Sequence, residues 1–311
     1  DASGTLKDTN WDNALDAVAG VLKDGGKLAL ISDLQTGSLD TLMRAWIAAL
    51  GSGRMLVYEP INYESVKAAS GGVVPKLNIA GCDYLISFAA DFLETWISPV
   101  EYAREFAAMR QVGDGTRPRF VYVGPRVSMT AANADMRLIV PPGAEAEIAM
   151  AIMTGSVDDV ARKYNLDLRD ISRIASEFGC AAAPLALPGG DANTARAAMA
   201  LNTGKGARLI DRSRPHAVTN IVSRAAIDSL IRDMENGKID TLIVFGANPV
   251  YSMPESARFV DALKRVKTVV SLSSFMDETT ARAHWVLPSS TPLESWGDYF
   301  PYSDVANLMQ P

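Results

Sequence analysis

The sequence predicts an α/β protein of two pseudo-symmetric, doubly wound lobes with mainly parallel sheets. Three observations carry this. Short β-branched and aromatic runs alternate with helix-patterned stretches along the whole chain, the order that gives parallel sheets covered by helices. One strand–turn–helix unit occurs twice. The length of 311 residues is generous for one compact domain and fits two of about 150.

The unit that repeats is clearest at Asp240–Glu255. Thr241 to Phe245 reads as a buried strand, and Gly246-Ala247-Asn248-Pro249 as a turn, because Gly and Asn tolerate positive φ and Pro fixes the next residue. Ser252 with Glu255 three residues on is a capping-box pattern, and Pro254 suits a first helical turn. A strand end and a helix N-terminus aimed at one spot form the place where open α/β sheets bind ligands, anions above all. Leu85–Asp91 lines up with Leu242–Asn248 at an offset of 157, and Ser98–Glu101 with Ser252–Glu255. Phe120–Val123 answers Thr268–Ser271, and Thr130–Asp135 answers Thr279–His284 at an offset of 149. The expected division is residues 1–183, a first α/β lobe with a helical linker, and 184–311, a second, Rossmann-like lobe of the dinucleotide-binding kind.

In order, Asp1–Lys7 reads as a loose lead-in, and Trp11, Leu15, Val18 and Leu22 recur at helical spacing after Asn10 and before Gly25-Gly26. Leu28–Ile31 is a strand and Leu39–Leu50 a helix capped by Ser38 and stopped by Gly51. Met55–Tyr58 is the next strand, a short helix follows at Glu64–Ala69, and Ser70 to Gly81 is loop. Leu138–Val140 is an edge strand, Ala144–Met153 a helix packed back on the sheet. Val157–Tyr164 and Leu168–Phe178 are linker helices with solvated Asp and Arg. Pro184–Gly190 is extended, Thr194–Leu201 helical, and Asn202–Asn220 a loop whose Lys205, Arg208, Arg212 and Arg214 read as solvated rather than phosphate-binding. Ser223 caps a helix over Arg224–Met234, stopped by Gly237.

Composition excludes several classes. Apolar residues make up 48% and charged ones 21%, as in soluble globular proteins. Thirty basic against thirty-six acidic residues give −6, with no run of Lys and Arg, which argues against nucleic acid or an anionic membrane as partner. No apolar run reaches about 18 residues. Without an initiator Met or a signal pattern the chain reads as a piece of a longer protein. Cys82 and Cys180 read as small buried thiols, and His216 and His284 have no partners at ligand spacing, so no zinc or iron–sulfur ligands are expected within the chain. Gly51-Ser52-Gly53, Gly113-Asp114-Gly115 and Gly204-Lys205-Gly206 match no dinucleotide, P-loop or thiamine fingerprint, and there is no Gly-x-Ser-x-Gly elbow.

Taken together, certain segments resemble a known family. They are Gly246-Ala247-Asn248-Pro249 with the later Asp277–Pro288 and Leu293–Asp298, Trp11–Leu15, Gly124-Pro125-Arg126, Pro142-Gly143, and Leu201-Asn202 with Gly204. In this order they resemble the large subunit of molybdopterin oxidoreductases over nearly the whole chain. The resemblance implies an elongated bis-pterin cofactor, molybdopterin guanine dinucleotide, held one half per lobe. Gly246, Asn248 and Pro249 would approach one dinucleotide with Glu278 and Thr279 nearby; Ala89, Asp91, Pro125 and Arg126 would face the other. Glu294 and Gly297 would hold the turn after the last strand.

Departures from the pattern shape the expectation. The family's cysteine cluster for a [4Fe–4S] centre and its β-rich carboxy-terminal domain are absent, so the chain reads as the middle of a larger subunit. The metal-ligand region near Tyr58–Ser65 has no Cys, leaving Ser65 or a carboxylate. Asp91 stands where an Asn is usual and would repel a pyrophosphate, and Gly124 replaces an Asp. Ala90–Val100 resembles the branch found in quinone-linked respiratory complexes, some members of which keep the fold without molybdenum. Two expectations follow. One is an oxidoreductase module that holds the cofactor for electron transfer; the other is a cofactor-free docking module, with no metal bound by the chain alone. An unrelated flavodoxin-like nucleotide binder is the third alternative. The implied partners are the rest of the same subunit, an iron–sulfur subunit and a membrane quinone-reacting subunit, which would place the chain at the cell envelope on its periplasmic face.

Overall fold

A computed structural model describes residues 6–23, 27–51, 53–111 and 117–311. The chain divides into two compact units, Asp1–Asn62 with Asn220–Pro311, and Tyr63–Thr219. Both are α/β with parallel main sheets, as predicted. The boundaries differ from the predicted 1–183 and 184–311, because strands pair across sequence rather than along it.

Helix α1 (Trp11–Lys23) starts at Asn10, whose side chain accepts from Asn13 N at 2.9 Å. Its buried line is Ala14, with Val18 and Leu22 packed beside it at i+4 and i+8; Trp11 and Leu15 face outward, 53% and 52% exposed. Strand β1 (Leu28–Ser32) is buried along its whole length, so it needs neighbours on both sides. It finds β2 (Arg54–Val57) after α2 (Gly37–Ala49), and later the strand Thr241–Phe245. Thr36, not Ser38, occupies the N-cap position of α2; Ser38 lies in its first turn. The predicted stop at Gly25-Gly26 and the Gly113-Asp114-Gly115 motif lie outside the described residues, as do Asp1–Thr5 of the lead-in and Ser52.

The second unit opens with α3 (Glu64–Ala69). The loop predicted after it contains a two-residue strand, β3 (Lys76–Leu77), too short to leave a periodic signal. Then come β4 (Tyr84–Phe88), α4 (Pro99–Met109), β5 (Arg119–Gly124), α5 (Met129–Ala132) and β6 (Met136–Ile139), the predicted edge strand. Helices α6 (Ala144–Thr154), α7 (Asp158–Tyr164) and α8 (Leu168–Cys180) precede β7 (Pro184–Pro188) and α9 (Ala192–Leu201). The sheet runs β6-β5-β4-β7, all parallel. Residues from α6, α7, α8 and α9 pack one face around Ile148, Ile171 and Ile174, and Phe92, Phe106 and Phe120 form an edge-to-face cluster with centroids 5.4–5.6 Å apart.

Strand β8 (Ile210–Asp211) pairs antiparallel with β3. The basic stretch around it is built of two 3-10 turns and this strand and is not plain loop, and its Lys205, Arg208 and Arg212 are solvent-exposed, as predicted. Lys205 Nζ donates to Ala181 O at 2.9 Å, Arg208 to Ala182 O at 3.1 Å and Arg212 to Ser70 O at 3.3 Å, so these cations satisfy carbonyls, two of them just past the C-terminus of α8. Cys82 is buried against Met109, its thiol pushed up to about 12 by burial, whereas Cys180 ends α8 and is exposed, unlike the buried thiol predicted.

His216 gives this unit a pH dependence. Burial holds it down to about 4 from an ordinary 6.5, and its Nδ1 accepts from Val218 N. The unfolded chain takes the proton near 6.5 and the folded chain only near 4. Stability is therefore complete above 6.5 and falls as pH drops through that window, by about 3 kcal/mol at its lower end. Denaturation from pH 7 to 4 should show the wild type losing this amount relative to His216→Gln; parallel slopes for the two proteins would acquit the imidazole.

The chain returns to the first unit through α10 (Arg224–Glu235), capped by Ser223 as predicted, and β9 (Thr241–Phe245). Helices α11 (Pro249–Ser252) and α12 (Phe259–Leu263), strands β10 (Thr268–Leu272) and β11 (Trp285–Val286), and the hairpin β12 (Gly297–Tyr302) with β13 (Val305–Met309) follow. The sheet order is β11-β10-β9-β1-β2. Neither predicted capping box forms. Ser98 makes no side-chain cap, and Ser252 ends its short helix, while Asn248 caps it. No described helix is long and apolar enough to cross a membrane.

Candidate functional site

Each sheet has one point where the chain leaves neighbouring strands toward opposite sides: between β9 and β1, and between β4 and β7. Crevices at the carboxyl ends of such strands are the ligand positions of open α/β sheets. The sequence repeat builds both. Asp240 N bonds Lys27 O at 2.9 Å as Asp83 N bonds Ala183 O at 3.1 Å, and Gly246 N bonds Leu272 O as Ala89 N bonds Val123 O. Val250 N donates to Thr279 Oγ1 at 3.0 Å; 157 and 149 residues earlier, Leu93 N donates to Thr130 Oγ1 at 3.1 Å. Val269 N donates to His284 Nδ1 as Phe120 N does to the Asp135 carboxylate. These pairs fix the strand echo at Phe120 to Val269, one residue from the predicted alignment with Thr268.

In the first unit the predicted residues come together. Asn248 Oδ1 accepts from Thr279 Oγ1 at 2.7 Å and from Tyr251 N, while its Nδ2 donates to Glu278 Oε2 at 2.7 Å. Pro249 is buried as the first residue of α11. Gly246, at φ +65, brings the chain against Asp33: a Cβ there would lie 2.7 Å from the Asp33 carboxylate. Asp33 accepts from Gln35 Nε2 at 2.5 Å, and Leu34 N donates to Glu59 Oε1 at 2.8 Å. Burial pushes both carboxylates upward, Glu59 further through the charge of Asp33. Of these, Asp33, Gln35 and Gly246 line a cleft of about 540 Å³, with Ser274, Ser289, Trp296 and Asp298 among its other walls. The N-terminus of α2 faces Asp298, which accepts from Ser38 N at 2.9 Å and Ser38 Oγ at 2.5 Å. Glu294 holds its turn as expected, its carboxylate accepting from Thr291 N at 2.8 Å, and Gly297 begins β12.

In the second unit Ala89, a non-glycine residue at φ +53, turns the chain at the end of β4. Gly189 fills the crevice from β7: a Cβ on it would lie within 2.5 Å of Ala89 C and closer to Ala90 N and Phe88 O. Asp91 accepts a short hydrogen bond from Ser128 Oγ and pairs with Arg126 at 2.6 Å; Arg126 also reaches Glu94 at 3.1 Å. The two carboxylates raise the Arg126 guanidinium further, and burial and the Asp91 charge push the Tyr122 hydroxyl up to about 12. Pro125 is an exposed turn residue before Arg126. Ser65, half-buried in the first turn of α3, has no described cluster of three His, Cys, Asp or Glu residues suited to a metal about it.

The sequence reading missed Asp33, Glu94, Ser128 and Asp298, and reached Glu59 only as one carboxylate of the Tyr58–Ser65 region. One signal was present for Ser128, since Ala131 N bonds its Oγ as Thr280 N bonds Asp277 at the offset of 149.

Two parallel α/β units, each with a switch-point crevice framed by the same Asx–Thr turn, define a tandem, doubly wound α/β chain. It belongs to the molybdopterin oxidoreductase family, whose model matches residues 1–301. The menaquinone reductase molybdopterin-binding-like subunit of Nitratidesulfovibrio vulgaris is 26% identical over 322 residues, covering 89% of this chain and 47% of that protein. The NADPH-Fe(3+) oxidoreductase subunit alpha of Geobacter sulfurreducens is 33% identical over 70 residues, 22% of this chain and 8% of that one. The fold matches acetylene hydratase from Pelobacter acetylenicus with a TM-score of 0.75 at 15% identity, over 99% of this chain and 56% of that chain. The chain thus spans about half the length of the menaquinone reductase relative.

Family membership implies a molybdopterin cofactor. The residues at the crevices do not fit a phosphate-bearing group. Among the residues lining the first cleft there are two carboxylates and no Lys or Arg. In the second, the Arg126 cation is neutralised by Asp91 and Glu94. A diphosphate entering either place would meet like charge.

Proposed function

We propose that this chain is the central two-unit part of a molybdopterin-type large subunit in a quinone-linked redox complex. In this reading it is kept as a scaffold that docks an iron–sulfur subunit, and the bis-pterin guanine dinucleotide is lost. The observation that carries this is the Asp91–Arg126–Glu94 cluster, where the chain's own carboxylates take the donors a phosphate would need. Support for the setting comes from the menaquinone reductase relative, itself a subunit. The partners would be the remaining domains of the same subunit, the iron–sulfur subunit and a membrane quinone-reacting subunit, on the periplasmic face.

A second reading, retention of the dinucleotide for electron transfer, is favoured by the repeated Asx–Thr turn with its open cleft at Gly246. Metal and pterin analysis separates the two. In the full-length subunit from its native source, molybdenum and tungsten by mass spectrometry and oxidised pterin by fluorescence should both be far below one per chain. One metal with two pterins per chain would overturn the scaffold reading and direct attention to Ser65 and Glu59 as ligands.

A further inference from the structure

Asp91 sits where its unit gathers donors for an anion. The Ser128 hydroxyl donates to one oxygen, the Arg126 guanidinium to the other, and the Tyr122 hydroxyl lies close enough for the Asp91 charge to raise it. At the equivalent place in the first unit Asn248 is neutral, and among the described residues its side chain bonds Thr279, Tyr251 and Glu278. Arg126 is also reachable: its side chain is 60% exposed, whereas Asp91 is 12% and Glu94 20%. A guanidinium and hydroxyls converging on one largely buried carboxylate are the donor set of an oxyanion site.

We infer that Arg126, Ser128 and Tyr122 form a latent phosphate-type anion site that Asp91 and Glu94 keep filled from within the chain. It rests on the reading above, that the crevices take no dinucleotide, and adds the residues that exclude it. Asn at position 91 would preserve the turn, because Asn248 holds the same turn in the other unit with the equivalent Val250–Thr279 bond intact. Removing the two charges would leave Arg126 without an anionic partner at this site and draw a solution anion to it.

The test uses inorganic pyrophosphate, titrated calorimetrically into the full-length protein. Asp91→Asn combined with Glu94→Gln should bind it at least about tenfold more tightly than wild type, the ratio corresponding to one charge-assisted hydrogen bond. Adding Arg126→Gln should abolish the gain. Asp91→Asn alone is run beside the double variant, with melting curves for each, so that an unfolded double variant leaves the single one to decide. Equal binding by wild type and the folded variants, or a gain that survives Arg126→Gln, overturns the inference. The pterin analysis of wild-type subunit and this titration of variants can fail independently. A pterin-free native subunit whose variants ignore pyrophosphate sinks only the latent site.

Discussion

Gly189→Ala is expected to destabilise the Tyr63–Thr219 unit by more than about 4 kcal/mol, at the far end of what one methyl group does. Gly189 has no positive φ to require glycine; space alone decides. The added Cβ would fall among Phe88 O, Ala89 C and Ala90 N, all backbone. Those atoms continue β4, which pairs with β7 in register from Tyr84 and Pro184 to Phe88 and Pro188, so relief means prising the two strands apart. Gly246 shows the contrast: its steric obstacle is the Asp33 side chain, which can rotate away, and it is the φ of +65 that calls for glycine there. Urea denaturation followed by near-ultraviolet circular dichroism measures the loss, and a change below about 1 kcal/mol would show that the crevice opens freely.

Asn202→Leu should cost about 4 kcal/mol, for a different reason. Strand β7 is the edge of its sheet, so its outer N–H and C=O groups have no strand to meet. Asn202, 2% exposed, supplies the missing partner: its Oδ1 accepts from Ala186 N and its Nδ2 donates to Ala186 O, both at 2.8 Å. A leucine of similar volume leaves two buried backbone groups unpaired. Hydrogen exchange at the Ala186 amide should accelerate with the loss of stability. An unchanged amide in a protein of wild-type stability would mean that water replaces the side chain without penalty.

The elements that sequence made legible are those with their own period. β1, β4, β5, β9 and β10 are short, mainly apolar runs, α8 and α10 have clear apolar faces, and all lie where expected. Strand order was not legible. Nothing local in Leu28–Ser32 says that its neighbour is Thr241–Phe245, because parallel pairing is set by burial on both faces and by the crossover between. The caps were misassigned for a related reason: Ser98 and Ser252 have the right spacing, but in the folded chain Asn248 is the residue placed to bond the free amide. In the site, Asn248, Thr279, Asp91 and Arg126 were visible through the repeat. Asp33, just after β1, Glu94, in a turn, and Asp298, within β12, were not, since each is a lone carboxylate that gains meaning only from a neighbour distant in sequence, as Asp298 does from Ser38.

The interruption of the first unit by the second bears on how the protein is made. Lys27, at the foot of β1, waits for Asp240, 213 residues later. At about 5–20 residues per second, β1 leaves the ribosome roughly 10–40 s before its partner β9 exists. Tyr63–Thr219, contiguous in the chain, can complete its sheet within that interval. Meanwhile Leu28–Ser32, wholly apolar but for its last residue, has only β2 to pair with and one open edge. The nascent chain therefore carries an apolar strand with one unpaired edge while the Tyr63–Thr219 unit folds, the kind of edge on which nascent chains aggregate.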